Sequence, residues 1–547
     1  MAKDLKDNYI VLEITIEDQS EVNQNVNLLG FSSDSTDDEL FLYPFIDETN
    51  STLYIDNKKI DNFSLIQKFP HVGTFHVKIE ISEILSDLSF IFCACLFTTK
   101  IDLSHLNMEN VSSMEGAFAE CMNLIEINLG NINSDKIICL TAAFSNCQNL
   151  EKIIGIEKLN TSNVVDFGSL FSGCYNLRKL DLSKWNTQNA LDMSSMFYGC
   201  QNLVELNLEN WDAREVKDMS SMFKGCLKLS FLNLKNFRTS NIVNMSSLFL
   251  ACENLKTVDL SSFKTENLVN MHFMFSECRN IVDIDLSTFD TSSVEDMSGL
   301  FNYCEKLSEI NLNTFKTDNV RTFEQMFSHC TNLKELNLNN FNTEKAIFTR
   351  FMFEDCINLS KLKIDNFNTK NCEHFNHMFK NCINLEELEV NHFNVENALI
   401  LCNMFENCES LTELNLSNFK TKRTLNMHEM FKNCKNLKKL DISNFTGEKA
   451  FMLSDVFLGL DNLEEIKAPL SFMEIAKIYK NEIKSDIIIY TDKNPLKAYR
   501  KIEIALFSFL VKIIDIDVVT GDEKILYACD FKTFSETPSE SYGKFVV

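Results

Sequence analysis

Glycine is scarce, with only 14 residues in a chain of 547. So few glycines leave little material for phosphate-cradling loops, and the P-loop, the dinucleotide fingerprint and the nucleophile elbow are all missing. Positive charge is also short: 52 Lys and Arg against 78 Asp and Glu give a net charge of −26. That balance excludes nucleic acid as the expected ligand, because such binding rests on neutralising phosphates with basic side chains. It also argues against anionic membrane surfaces. The longest apolar run, Ile504 to Val511, falls far short of the ~20 residues that span a membrane. The opening residues, Met1-Ala2-Lys3-Asp4-Leu5-Lys6-Asp7-Asn8, lack the apolar core of a secretory signal. The expectation is a soluble, cytoplasmic protein with no membrane insertion.

What the chain has instead is a period. Phenylalanine recurs fifteen times from Phe92 to Phe457, and after fourteen of these a cysteine follows three residues later, from Cys95 to Cys434. The interval is 26 residues throughout, except for one extra residue between Cys147 and Cys174. A period this strict predicts a solenoid in which each unit buries its apolar face only against its neighbours. Fourteen cysteines in one equivalent slot are expected to be small, reduced, buried side chains rather than disulfides.

Residues 192–217 serve as a typical unit. Met193, Met196, Phe197 and Cys200 fall at i, i+3, i+4 and i+7, one stripe of a helix. Asp192 precedes the stripe as a cap candidate, and Gly199 stands where a left-handed residue ends a helix. Leu203, Leu206 and Leu208 then alternate with Glu205 and Asn207, the pattern of a short strand with one buried face. Trp211, replaced by phenylalanine from Phe237 onward, supplies a second aromatic ladder before a Thr-x-x-Val return. The expected fold is an α/β solenoid of about 15 coils, each with a short helix of about two turns and a short strand of a parallel sheet.

The run M-S-S-M-F-x-G-C-x-N-L, continued by L-x-x-L-x-L and F-x-T, resembles the BspA-like leucine-rich-repeat surface proteins with 26-residue units. The match covers residues 88–470 and is best from Asp166 to Phe341. The resemblance implies a parallel sheet on one face, short helices on the other, and a non-catalytic role in adhesion or partner binding.

Outside the repeat, Tyr9–Glu17, Ser51–Ile60 and Gly73–Ile81 alternate as strands, with an acidic loop at 34–39. Residues 1–86 read as a β-rich N-terminal cap, 87–470 as the solenoid and 471–547 as an α+β C-terminal cap. In the last segment, Ser471–Ile483 reads as a helix and Asp486–Tyr490 as a strand. A further helix from Pro495 and a hairpin around 520–523 complete it.

Chemistry-bearing clusters are few. His374 and His377 near Cys372 and Cys382 suggest a zinc site, but the simpler expectation is that both histidines face solvent while Phe375 takes the core slot. The cysteine column lacks a second ligand type for a soft-metal ladder, so neither metal nor cofactor is expected. The outward strand face is the candidate partner-binding surface: Glu205, Asn207, Asn233, Asp259, Asp283, Asp285, Glu309, Asn311, Glu335 and Asn337. Solvent-facing aromatics that break the polar pattern, Phe231 and Tyr198, are another candidate interface. The leading expectation is a non-enzymatic scaffold for other proteins. The alternatives are a cell-surface adhesin, whose sequons would be Asn110, Asn160, Asn244 and Asn444, a subunit of a large intracellular assembly, and an enzyme with its site in a terminal domain.

Overall fold

The computed structural model describes residues 8–30, 46–130, 134–479, 481 and 483–491. The acidic loop at 34–39, the helix from Pro495 and the hairpin around 520–523 lie outside the described residues.

Successive coils stack with like on like. The fifteen phenylalanine rings from Phe92 to Phe457 form one unbroken column. Neighbouring centroids lie 5.2 Å apart between Phe118 and Phe144 and 6.2 Å apart between Phe431 and Phe457, with planes within a few degrees of parallel at both steps. All are buried. Burying one phenylalanine contributes about 1.5–3 kcal/mol, and an isolated coil would leave both ring faces wet. A second column runs from Trp185 through Trp211, Phe237 and Phe263. Its two indole N–H groups donate to the carbonyls of Ile156 and Leu182, 2.9 Å each, in the preceding coils.

The expected short helix in each coil is a correction. Among the described residues the sole α-helix is Leu470–Ile478, and each M-S-S-M-F segment is a run of turns. The reason lies in the donors. The N–H groups of Met193, Ser195, Phe197 and Gly199 donate to Asp218, Ser220, Met222 and Lys224 of the next coil. Those of Met196, Tyr198 and Cys200 donate three residues back. Half the donors therefore stitch coil to coil, which a helix, closing all its bonds internally, cannot do. The geometry requires a left-handed residue five before each cysteine, such as Ser195 at φ 54°, and another just before it, such as Gly199 at φ 70°. The apolar stripe is still inside: Met193, Met196, Phe197 and Cys200 are fully buried.

A non-glycine residue in that conformation costs roughly 1–2 kcal/mol. Phe273, at φ 53°, adds a steric demand, because its ring lies where a Cβ on Gly299 would be, at 2.2 Å. Gly299→Ala should therefore lower stability by about 1–3 kcal/mol through overpacking. Ser195→Gly, at the same coil position, should be neutral or stabilising, because glycine meets no Cβ penalty there. Urea melts of the two variants test this, and equal shifts of the same sign would refute it.

Short parallel strands follow most of the cysteines, but the expected strand in every coil is a correction: after Cys278, Cys304 and Cys382 the equivalent residues lie outside the strand ladders. Lys179–Asp181 pairs with Glu205–Asn207 and Glu335–Asn337 with Lys361–Lys363, each residue opposite its equivalent one coil on. The extra residue after Cys147 is absorbed where that strand ends. Gly155 stands in the slot of the second strand leucine, and the buried Ile156 slides into its place within a single 3₁₀ turn, Ile156–Lys158. On the return side, buried threonines clamp coils together. Thr239 Oγ1 donates to Lys264 O at 2.9 Å and accepts the Lys264 N–H at 3.0 Å, an arrangement repeated along most of the rod.

Both ends of the sheet are covered by the chain itself. Tyr9–Ile16 pairs antiparallel with Gly73–Ile81 on one side and with Thr98–Asp102, the first solenoid strand, on the other. The expected strand Ser51–Ile60 is a hairpin, Ser51–Ile55 with Lys58–Lys59, turning at Asp56 and Asn57, both at positive φ. At the far end Glu465–Ala468 is flanked by Lys439–Asp441 and Ile488–Tyr490, all parallel. The helix is shorter than the expected Ser471–Ile483, and beyond it the N–H of Asn481 folds back to the carbonyl of Ala476. Phe472 on this helix meets both aromatic columns edge-on, Phe445 at 5.5 Å and Phe457 at 6.4 Å, and closes them.

Candidate interaction surface

Alternation along each strand turns two side chains per coil outward between buried leucines. All ten residues named on this face, Glu205, Asn207, Asn233, Asp259, Asp283, Asp285, Glu309, Asn311, Glu335 and Asn337, are exposed. Stacking places them in two columns with different tasks. The column of Asn207, Asn233, Asp259, Asp285, Asn311 and Asn337 is partly occupied by the chain itself. Each accepts the N–H two residues on, as Asn207 does from Glu209 at 3.2 Å and Asp285 from Ser287 at 2.9 Å. These bonds turn the chain at the strand's end, as short polar side chains do. Hydrogen bonds from Ser261 and Ser287 hold the carboxyls of Asp259 and Asp285 below the usual range.

The other column carries most of the charge. Lys179 and Glu205, Lys361 and Glu335, and Lys439 and Glu413 each pair across one coil at 2.6 Å. Being exposed, such pairs add little stability; what they do is neutralise the face locally. Between Glu205 and Glu335 the pairing lapses. Asp283 and Glu309 in this column, and Asp259 and Asp285 in the other, have no ion pair among the described residues, and Phe231, two coils before Asp283 in the same column, has 62% of its surface exposed. Tyr198, on the opposite turn face, is 41% exposed, with the Lys224 ammonium 5.4 Å from its ring centre.

On that turn face the structure corrects a second expectation. His377 does not face solvent: it is 5% exposed, with Nδ1 3.2 Å from Glu354 Oε1. His374 is half-buried, and desolvation pushes its pKa down. Phe375 fills the core slot as expected. The thiols of Cys372 and Cys382 turn away to the carbonyls of Ala346 and Phe353. The histidine sits in a charged layer that the sequence reading missed. Glu406 accepts from Lys380 at 3.0 Å and from Asn403 at 2.8 Å, while Lys432 holds Glu429 at 2.6 Å. The signal was His377, Asn403 and Glu429 in the slot that holds Ser169, Ser195, Ser221 and Ser247 in earlier coils. His329 with Glu354 and Asp355, and His428 with Glu429 and Asp455, gather enough donor atoms to hold a metal. Asn381 already donates to Asp355 at 2.7 Å, and Lys432 already neutralises Glu429.

The cysteine column is chemically quiet. Each thiol donates to the carbonyl of the preceding coil's phenylalanine, as Cys200 does to Phe171 at 3.2 Å and Cys252 to Phe223 at 3.1 Å. Burial pushes Cys200, Cys252 and Cys434 up to about 12. No helix among the described residues is long and apolar enough to cross a membrane.

A leucine-rich repeat protein from Bacteroides ovatus is 16% identical, covering 70% of this chain and 87% of that one at a TM-score of 0.38. One from Eubacterium ventriosum is 14% identical over 59% of this chain and 86% of its own, at a TM-score of 0.32. The functional domain of InlJ from Listeria monocytogenes, which includes a cysteine ladder, is 14% identical over 68% and 67%, at a TM-score of 0.21. No curated protein matches the chain. The family model described as "Mycoplasma protein of unknown function, DUF285" matches at residues 86–205, 112–231, 192–285, 270–382 and 349–468, which together span the whole solenoid. The chain belongs to that family, and its repeat is of the BspA-like leucine-rich type.

Proposed function

We propose that the chain is a non-enzymatic protein-binding scaffold that holds partners on its strand face. The observation that carries this reading is the lapse in charge pairing at Asp283 and Glu309, between stretches where the equivalent Glu205 and Glu335 are matched by lysines one coil away, with the carboxylates of Asp259 and Asp285 adding further charge alongside. Unmatched charge near an exposed aromatic, on a face fixed by stacked coils, favours recognition over solvation alone. A partner segment rich in Lys or Arg suits it. Asp283→Lys with Glu309→Lys should abolish capture of proteins that the unaltered chain retains from its source cell, with the thermal melt unchanged. Identical captured sets would refute the reading.

The cytoplasmic location is part of this proposal, and the sequons support it over the surface adhesin. The amide nitrogens of Asn160, Asn244 and Asn444 donate to Asp135, Asp218 and Ser417, bonds that a glycan would break. Mass analysis of the native protein tests this directly: glycans at these asparagines would overturn it.

A further inference from the structure

One row of side chains lies outside every role assigned above. Nine residues before each cysteine, the chain turns from its threonine return into the M-S-S-M-F segment, and one side chain per coil points outward. In the N-terminal half these are Ile138, Val165, Leu191, Val243 and Val269, which are 52, 39, 46, 40 and 36% exposed, with Lys217 between the third and fourth. A ladder of backbone bonds locks them in register: Val165 N–H to Ile138 O at 3.0 Å, Leu191 to Val165 at 2.8 Å, Val269 to Val243 at 2.9 Å. Interior packing does not need them, because the adjoining Val164, Ala190, Ile242 and Leu268 fill the core. Exposed aliphatics so aligned make a stripe rather than the scattered single residues of an ordinary surface. Asp166 and Asp192, which follow Val165 and Leu191, and Asp218, which follows Lys217, border one side, and none has an ion pair among the described residues.

We infer that this stripe docks an amphipathic helix of a second protein, apolar on one face and lined with Lys or Arg along the margin that meets the aspartates. The spacing selects a helix. Coils repeat at about 4.8 Å and a helical turn rises 5.4 Å, so over five coil steps the mismatch stays near 3 Å, less than a side chain. An extended strand presents same-face residues at about 6.6–6.8 Å, and over the same distance it drifts by about 10 Å. A second copy of this chain does not fit. Its own aspartates would face these, and like charges repel. The inference is independent of the strand-face reading, which uses other residues.

The probe is a fluorescein-labelled, 18-residue peptide of leucine and lysine in helical amphipathic order, titrated with the full chain by anisotropy. A control peptide has the same composition in scrambled order. The ordered peptide should bind at least about tenfold more tightly than the scrambled one. Leu191→Glu with Val243→Glu should cost about tenfold or more, as burying an unpaired charge does. Asp192→Asn with Asp218→Asn should cost about threefold, an effect lost in high salt. Leu191 and Val243 are exposed, so the thermal melt of their variant should not move, and Glu309→Lys on the strand face should bind the peptide normally. Equal binding of both peptides would overturn the inference as mere attraction to a polyanion. So would unchanged binding by the stripe variants, or a dimer of the free chain that Leu191→Glu dissolves.

Discussion

Raising the pH beyond about 10 should unfold the solenoid cooperatively, with the thiols rather than the surface ion pairs responsible. The sign follows from linkage. The folded state holds Cys200, Cys252 and Cys434 up at about 12, by desolvation, against an ordinary value of 9.0. Stability is fully present below that ordinary value and is lost as pH climbs toward the folded one, because the unfolded chain releases protons that the folded chain keeps. Each thiol withdraws about 1.4 kcal/mol per pH unit in that window. At pH 10.5 these three thiols together remove on the order of 6 kcal/mol, comparable to the whole stability of many domains, and burial holds neighbours such as Cys226 and Cys278 up in the same direction. Far-UV dichroism and thiolate absorbance should change together near pH 10. Thiolate absorbance that rises around pH 9 while the dichroism holds would mean accessible thiols and would sink the idea. The exposed pairs such as Lys361 with Glu335 should matter little, because solvent already screens them.

Phe275→Ala should cost about 3–5 kcal/mol, the range for removing a fully buried aromatic side chain. Its ring stacks on Phe249 at 5.5 Å and on Phe301 at 6.0 Å, so truncation opens a void touching two interfaces. In a molecule stabilised between nearest neighbours, weakening one central coil uncouples the halves. Denaturant unfolding should change from one transition to two, and hydrogen exchange should quicken first around Met274 and Cys278. Phe457→Ala, at the end of the column and already edge-packed by Phe472, should cost less and leave one transition. A loss below about 1 kcal/mol for Phe275→Ala would remove the column from its central place in the energetics.

The ladders of phenylalanine, cysteine and leucine were legible because a fixed period reveals equivalent positions without any knowledge of the backbone between them. The helix was misread for a definite reason. A stripe at i, i+3, i+4 and i+7 reports which side chains point inward, and a chain of turns with left-handed residues at Ser195 and Gly199 satisfies it as well as an α-helix does. The first of those positions holds glycine only at Gly116 and Gly299 and otherwise residues such as serine, phenylalanine and histidine, so no consistent glycine pattern betrayed it. The burial of His377 was hidden likewise, because its neighbours Glu354 and Asn403 lie one coil away on either side. On the strand face the sequence identified the exposed residues, but not which carboxylates pair, since that depends on whether the next coil supplies a lysine.

Because each interior residue touches its own counterpart one coil away, adding or removing a whole 26-residue stretch presents every ladder with the partner it already expects. Unequal crossing-over in the gene could therefore lengthen or shorten this rod without a seam. Its interior sets no preferred length, leaving reach as something selection adjusts freely while Tyr9–Ile16 and Phe472 go on sealing the two ends.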